Sequence, residues 1–175
     1  MVLDRNEARK KVLELIPAGS EVLCNSSVTL DETGISKEIE ESGRYVSVRK
    51  RISAISDKEK RNEMRRMCGA AQYAIGSVHA VTVDGQVMFA SQSGSQLSPY
   101  AFSAANVIWV VGTQKIVKDV EEGFRRLREH CLVLENERAK KAYGAGSSIN
   151  KILIIEKEIV PNRIKLIFVK EKLGF

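Results

Sequence analysis

A chain of 175 residues, 43% of them apolar, can bury one sizeable core but is short for two ordinary domains, so a single domain over 1–175 is the expectation. No apolar run approaches the roughly 18–20 residues of a membrane span, and the charged start Met1–Asn6 does not lead into a signal-peptide core; a cytoplasmic protein with no membrane partner is expected. The net charge of +6 admits nucleic acid, phosphorylated metabolites or simply a basic surface, but the helical stretch Lys58 to Arg66 carries Glu59 and Glu63 and no interleaved aromatics, which reads as a solvated face and not a nucleic-acid site.

In chain order, Asp4 and Glu7 have capping-box-like spacing before the apolar stripe Ala8, Val12, Leu15 and Ile16, predicting a helix from Arg5 to Ile16 that Pro17 and Gly19 end. A strand Glu21–Cys24 precedes the polar turn Asn25-Ser26-Ser27. Thr29 and Glu32 repeat the capping-box spacing and predict a helix ending near Gly43. Tyr45–Val48 alternates as a strand, and Ser56 is placed to cap a basic helix reaching Cys68. Ala70–Ala74 reads as a further strand.

His79–Val83 and Gln86–Ser91 flank Asp84-Gly85, a two-residue hairpin signal. Gln92-Ser93-Gly94-Ser95-Gln96 follows, and Ser98-Pro99 opens a short helix with a cap and a first-turn proline. Asn106–Val111 is a continuous apolar strand of the type buried on both faces. Gly112-Thr113-Gln114-Lys115 turns it into a strong helix whose face is Ile116, Val117, Val120, Phe124, Leu127 and Cys131. A short helix over Glu135–Ala142, a Gly/Ser loop, and strands Lys151–Ile155 and Ile164–Val169 complete the pattern. Alternation of this kind argues an α/β fold, a mainly parallel, mixed sheet flanked by helices.

Three strand ends carry small polar junctions: Cys24 to Ser27, Ser91 to Ser95, and Gly112 to Lys115. An open α/β sheet gathers such junctions at one edge, and Ser and Gly before a helix let an anion approach backbone N–H groups. Ligand-binding candidates are therefore Ser26, Ser27, Thr29, Glu32, Ser93, Gly94, Ser95, Gly112, Thr113, Gln114 and Lys115, the last adding a full charge. The bland reading is that Ser, Gly and Thr are what caps and tight turns need anyway. Neither GxxxxGK[ST] nor a strand-following GxGxxG is present, so nucleotide binding has no motif behind it. Glu32, His79, Cys24 and Ser93 are the catalytic candidates by residue type, without a nucleophile and base at recognisable spacing. Cys24, Cys68 and Cys131 lie far apart and only His79 and His130 could join them, so no disulfide framework, metal or other cofactor is expected.

Four stretches together resemble the LUD (lactate utilisation) domain family: 27–34 (SVTLDETG), 78–85 (VHAVTVDG), 93–97 (SGSQL) and 110–117 (VVGTQKIV). The ending Arg163–Ile167 with Leu173-Gly174-Phe175 is similar too, and the likeness spans Lys10 to Phe175. The resemblance implies a fold like the NagB/RpiA/CoA-transferase group, whose members often bind sugar phosphates or acyl-CoA. It also implies an association with oxidation of L-lactate to pyruvate beside iron–sulfur partner proteins. Two departures stand out. Cys24-Asn25-Ser26 replaces the Gly-Gly-Ser turn of many members, and the N-terminus is short relative to the family; the cysteine-rich segments of longer relatives are also absent. The expected ligand is a small carboxylate or phosphorylated metabolite. The alternatives are an accessory subunit docking an iron–sulfur partner through Arg49 to Arg66 or exposed sheet edges, and a member that keeps the fold alone; homo-oligomer formation is left open.

Overall fold

The computed structural model describes residues 1–55 and 60–175, with the backbone alone at 60 and 61. The expected cap at Ser56 lies outside the described residues. Helix α1 (Arg5–Glu14) begins where Asp4 accepts from the amides of Asn6 and Glu7 at 2.8 and 2.9 Å. It stops before Ile16 because the residue preceding Pro17 is disfavoured in the helical region. Strand β1 (Glu21–Cys24) is as expected. The next helix is two: α2 (Val28–Glu32) and α3 (Ile35–Glu41), separated by Gly34 at φ 71°. Ser27, not Thr29, is the cap of α2, accepting from the Leu30 amide at 3.4 Å, and Thr29 is buried inside the helix.

Strand β2 is short (Val46–Ser47) because Ser47 caps α4 (Val48–Ser53), and α5 (Lys60–Ala70) carries the basic run. The strand expected at Ala70–Ala74 is β3 (Tyr73–Gly76), four residues ending on a glycine. The hairpin of β4 (Ala80–Thr82) and β5 (Val87–Ser91) is antiparallel, but its Val81↔Val87 register leaves a three-residue loop. The Gly85 amide bonds the Thr82 carbonyl at 3.0 Å and Gly85 takes φ 97°, a β-turn closed by a left-handed glycine. Ser98 does not cap; its hydroxyl meets that of Ser103 across a single wide helical turn, Pro99–Ser103.

Strand β6 (Asn106–Gly112) is buried along nearly its whole length. The helix expected directly after it is absent. Thr113–Lys115 form one tight turn, and the β-branched pair Ile116–Val117 becomes strand β7, parallel to β4. Helix α6 (Val120–Arg126) starts only where Asp119 caps it, accepting from the Glu122 amide at 2.9 Å. It continues through the wide turn Leu127–Cys131 into α7 (Leu132–Tyr143), which absorbs the short helix expected at Glu135–Ala142 and ends on left-handed Gly144. Strands β8 (Lys151–Ile155) and β9 (Ile164–Val169) fall where expected but in different sheets.

The fold is mixed α/β with a mainly parallel sheet flanked by helices. Five strands in the order β2-β1-β3-β6-β9 are all parallel, and four in the order β7-β4-β5-β8 form a second, mixed sheet. Alternate residues of the parallel sheet divide its faces. Val22, Ile75, Ile108 and Val110 pack with α1, α2 and α3, while Val107, Trp109 and Val111 pack with Val81, Val87 and Phe89 of the second sheet. The outer face of that sheet, through Ala80 and Met88, is closed by Leu127, Val120 and Phe124. After β1 the chain leaves toward the helical face, and after β3 it leaves toward the second sheet. The gap between the C-terminal ends of β1 and β3 is thus a topological switch point, the place where open α/β sheets leave a crevice for ligands.

Candidate functional site at the switch point

Two segments wall this crevice. Asn25, following β1, donates its side-chain amide to the Tyr100 hydroxyl at 3.0 Å. Gly76, ending β3, lies so close that a Cβ there would be 1.7 Å from the same oxygen. Tyr100 is held from behind by Arg163, a buried guanidinium that donates to the carbonyls of Pro99, Tyr100 and Ala104 at 3.0 Å each and pairs with Glu158. Burial pushes the Tyr100 phenol up, leaving it a neutral donor or acceptor.

Lys115 bridges the two walls. The tight turn after β6 folds its side chain back under the sheet edge, where it is only 2% exposed. Its Nζ donates to Thr29 Oγ1 on α2 and to Ser77 Oγ after β3, each at 3.0 Å. An ammonium has three donors; two are spent on neutral hydroxyls, and no carboxylate pairs with it among the described residues. Burial, reinforced by the charge of Arg126, pulls its pKa down to about 8. A buried cation of this kind costs several kcal/mol unless something compensates it, and in a crevice the natural compensation is a ligand anion.

The remaining candidates fall into three groups. Thr29 and Gln114 belong to the Lys115 end: the Thr29 hydroxyl and the Gln114 side-chain amide both donate to the Leu173 carbonyl, at 3.2 and 2.8 Å. Gly112 is required there, since a Cβ would meet Gln114 Oε1 at 2.1 Å. Glu32 does not complete a capping box; its carboxylate accepts from the Gly174 amide at 2.8 Å, pinning segment 173–174 across the site. Ser27 is occupied as a cap, Ser26 is exposed, and Thr113 opens the tight turn. The loop Ser93-Gly94-Ser95 is bonded to itself and to a neighbour: Gly94 N to Ser91 Oγ at 2.8 Å, Ser93 Oγ to Ser95 Oγ at 3.2 Å, and Lys151 Nζ to the Ser93 carbonyl at 2.9 Å. No side-chain hydrogen bond among the described residues ties it to Lys115.

Of the catalytic candidates, Cys24 is buried and its thiol is pushed up to about 12, so it is not a nucleophile at neutral pH. His79 takes a hydrogen bond from the Ala90 amide on Nδ1 at 3.3 Å, which requires that nitrogen to be unprotonated. Burial, with Lys115 and Arg126 nearby, holds its pKa down to about 3, so it is a neutral structural group. Ser77, Asn25, Tyr100 and Arg126 were missed from sequence. Ser77 was hidden by placing β3 several residues early, which removed Gly76-Ser77 from the strand ends. Arg126, at the end of α6, donates its Nε to the His79 carbonyl at 2.9 Å.

A family profile for the LUD domain matches residues 1–169. The chain belongs to the LUD domain family. Among solved structures it is similar to a DUF162 family protein from Deinococcus radiodurans, with 12% identity, a TM-score of 0.57, and coverage of 97% of this chain and 86% of that one. At that identity the likeness speaks for the fold alone. A weaker likeness, to eIF2B beta from Chaetomium thermophilum, has 13% identity and a TM-score of 0.46 over 67% of this chain and 44% of that one. No curated protein matches the sequence. Among the described residues of this LUD domain, no helix is long and apolar enough to cross a membrane, and no three His, Cys, Asp or Glu side chains are gathered as metal ligands.

Proposed function

We propose that this LUD domain binds a small anionic metabolite, a carboxylate or a phosphorylated compound, in the crevice between β1 and β3, in association with L-lactate utilisation. The observation that carries the reading is Lys115, a buried ammonium bridging both crevice walls through Thr29 and Ser77 with no carboxylate in reach of a hydrogen bond among the described residues. Its third N–H is the group a ligand oxygen would take. Asn25 and the Tyr100 hydroxyl supply neutral polar contacts on the same crevice, and segment 173–174 covers it from the side of Gln114. Gly94 and its serines contribute less to this reading, because their donors and acceptors already satisfy one another.

Titration of the purified protein with lactate, pyruvate, sugar phosphates and CoA esters, followed by calorimetry, tests the reading. Binding by one class that is lost in Lys115→Met supports it; binding that survives Lys115→Met sinks it. The alternative is docking of an iron–sulfur partner through the basic stretch from Arg49, where Arg49 is paired with Glu40 at 3.4 Å and Arg51 with Glu21 at 2.5 Å at the surface.

A further inference from the structure

Among the described residues the two sheets end in β2 and β9 on the parallel one and β7 and β8 on the mixed one. An open edge offers unpaired N–H and C=O groups to another strand, and three of these edges are blunted. Strands β2 and β7 are two residues long. Strand β9 carries Lys165 near its start and is covered at its end by Val2, whose amide donates to the Phe168 carbonyl at 2.8 Å and whose carbonyl accepts from the Lys170 amide at 3.1 Å. Strand β8 has neither device: Ile152, Leu153, Ile154 and Ile155 follow one another without a charge, a proline or a bulge.

The backbone of β8 divides by alternation. On β5 the carbonyls of Gln86 and Met88 turn toward β4, accepting from the Thr82 and His79 amides at 2.9 and 3.1 Å, while the Ser91 carbonyl accepts from the Asn150 amide at 3.2 Å. Val87, Phe89 and Ser91 therefore face β8, and their partners Ile155, Leu153 and Lys151 face β5. Ile152 and Ile154 turn their N–H and C=O groups outward, and no group among the described residues takes them. The core is open on the same flank. Leu153 and Ile155 of β8, with Ile164, Leu166 and Phe168 of β9, line the space between the sheets yet are only half-buried, whereas β3 is buried at every position.

We infer that the β8 edge is an interface between two copies of this chain, related by a two-fold axis through Leu153 that joins their mixed sheets into one. Such an axis makes the paired strands antiparallel and sets one residue opposite itself. Charge selects which residue. Centring on Ile154 puts Lys151 opposite Lys157 of the second copy, a like-charge pair, and centring on Ile152 needs the Asn150 amide, which Ser91 already holds. Centring on Leu153 puts Ile152 opposite Ile154 of the second copy and the reverse, each pair exchanging both its backbone bonds. It also sets Lys151 opposite Ile155 and Asn150 opposite Glu156, so no like charges face each other. The half-buried Leu153 is then covered by its own counterpart.

Light scattering on the full chain as it leaves a sizing column is expected to give twice the chain mass. Ile154→Pro, which removes an outward N–H and no bond to β5, is expected to give the monomer mass. Under mild oxidation Leu153→Cys should form a covalent dimer, because a pair without mutual backbone bonds holds its Cα atoms about 4.5 Å apart, inside the disulfide range of about 4.4–6.8 Å. Ile152→Cys, displaced along the strand from its counterpart, should stay uncrosslinked, and the native cysteines are buried and do not compete. If Ile154→Pro does not fold, the contrast between the two cysteine variants decides alone. A monomeric wild type, a dimer that persists in folded Ile154→Pro, or cross-linking no readier at 153 than at 152 overturns the proposal.

Discussion

The loop Ser91–Ser95 and the cluster Thr29–Ser77–Lys115 both sit at strand ends and are built from small hydroxyl residues, yet they are opposites in energetic terms. In the loop, the hydroxyls of Ser91, Ser93 and Ser95 and the Gly94 amide have found partners within a few residues, Lys151 holds the Ser93 carbonyl, and the serines at 93 and 95 are exposed. In the cluster, a full charge is buried against two neutral oxygens. Polarity at a strand end is therefore weak grounds for a site; polarity left unpaid after burial is strong grounds.

The largest effect that separates the two regions is steric. Gly76→Ala drives a Cβ to 1.7 Å from the Tyr100 hydroxyl, which is backed by Phe89 and Trp109, so Tyr100 has little room to move. A loss of about 3 kcal/mol in urea unfolding is expected, as for overpacking a rigid core. Gly94→Ala, at φ 90° and facing only the flexible stem of Lys151, should cost ~1–2 kcal/mol. Equal costs would mean that the crevice wall is softer than described.

Lys115→Met comes next and has the opposite sign. Removing a charge buried against two neutral hydroxyls should stabilise the ligand-free protein by roughly 1–3 kcal/mol at pH 7 while lowering anion affinity at least about tenfold. The pH dependence follows from the direction of the shift. The unfolded chain keeps the Lys115 proton up to 10.5 and the folded one only to about 8, so between these values the unfolded state binds more protons and wild-type stability gains as pH rises. That gain, measured as the difference from Lys115→Met across the window, should vanish in the variant.

His79 gives a smaller effect at the acid end. Its folded pKa lies at about 3 against 6.5 unfolded, so its contribution is complete above pH 6.5 and is lost as pH falls toward 3. By pH 5.5 the wild type should have lost about 1–2 kcal/mol relative to His79→Asn, which keeps an acceptor for the Ala90 amide but does not titrate. The smallest effect belongs to the exposed loop: Ser93→Ala should change stability by no more than about 0.5 kcal/mol and leave anion binding unchanged.

Much of this was legible in the sequence. The run Asn106–Val111 announced the central strand because only a strand covered on both faces is apolar throughout, and the helix start at Asp4 lies where capping chemistry puts it. Lys115 was visible as a candidate because it follows that strand. What was not visible was the direction in which it points. Ile116-Val117 fitted a helix face as well as a strand, and only pairing with β4, distant in sequence, decides for the strand and so turns Lys115 inward. Ser77 depended on where β3 ends, a boundary set by its register against β6. Glu32 shows the converse: its spacing to Thr29 fitted a local cap, while its partner lies at Gly174, 142 residues away.

The central claim is that Lys115 is a buried cation awaiting an anion. Its titration, read from the ε-carbon shift of Lys115 by NMR in protein free of added anions and again with a bound metabolite, tests that claim most directly. A midpoint near 8 in the free protein that rises when the anion binds is the expected result. An ordinary lysine midpoint near 10.5, unmoved by any anion, would contradict it.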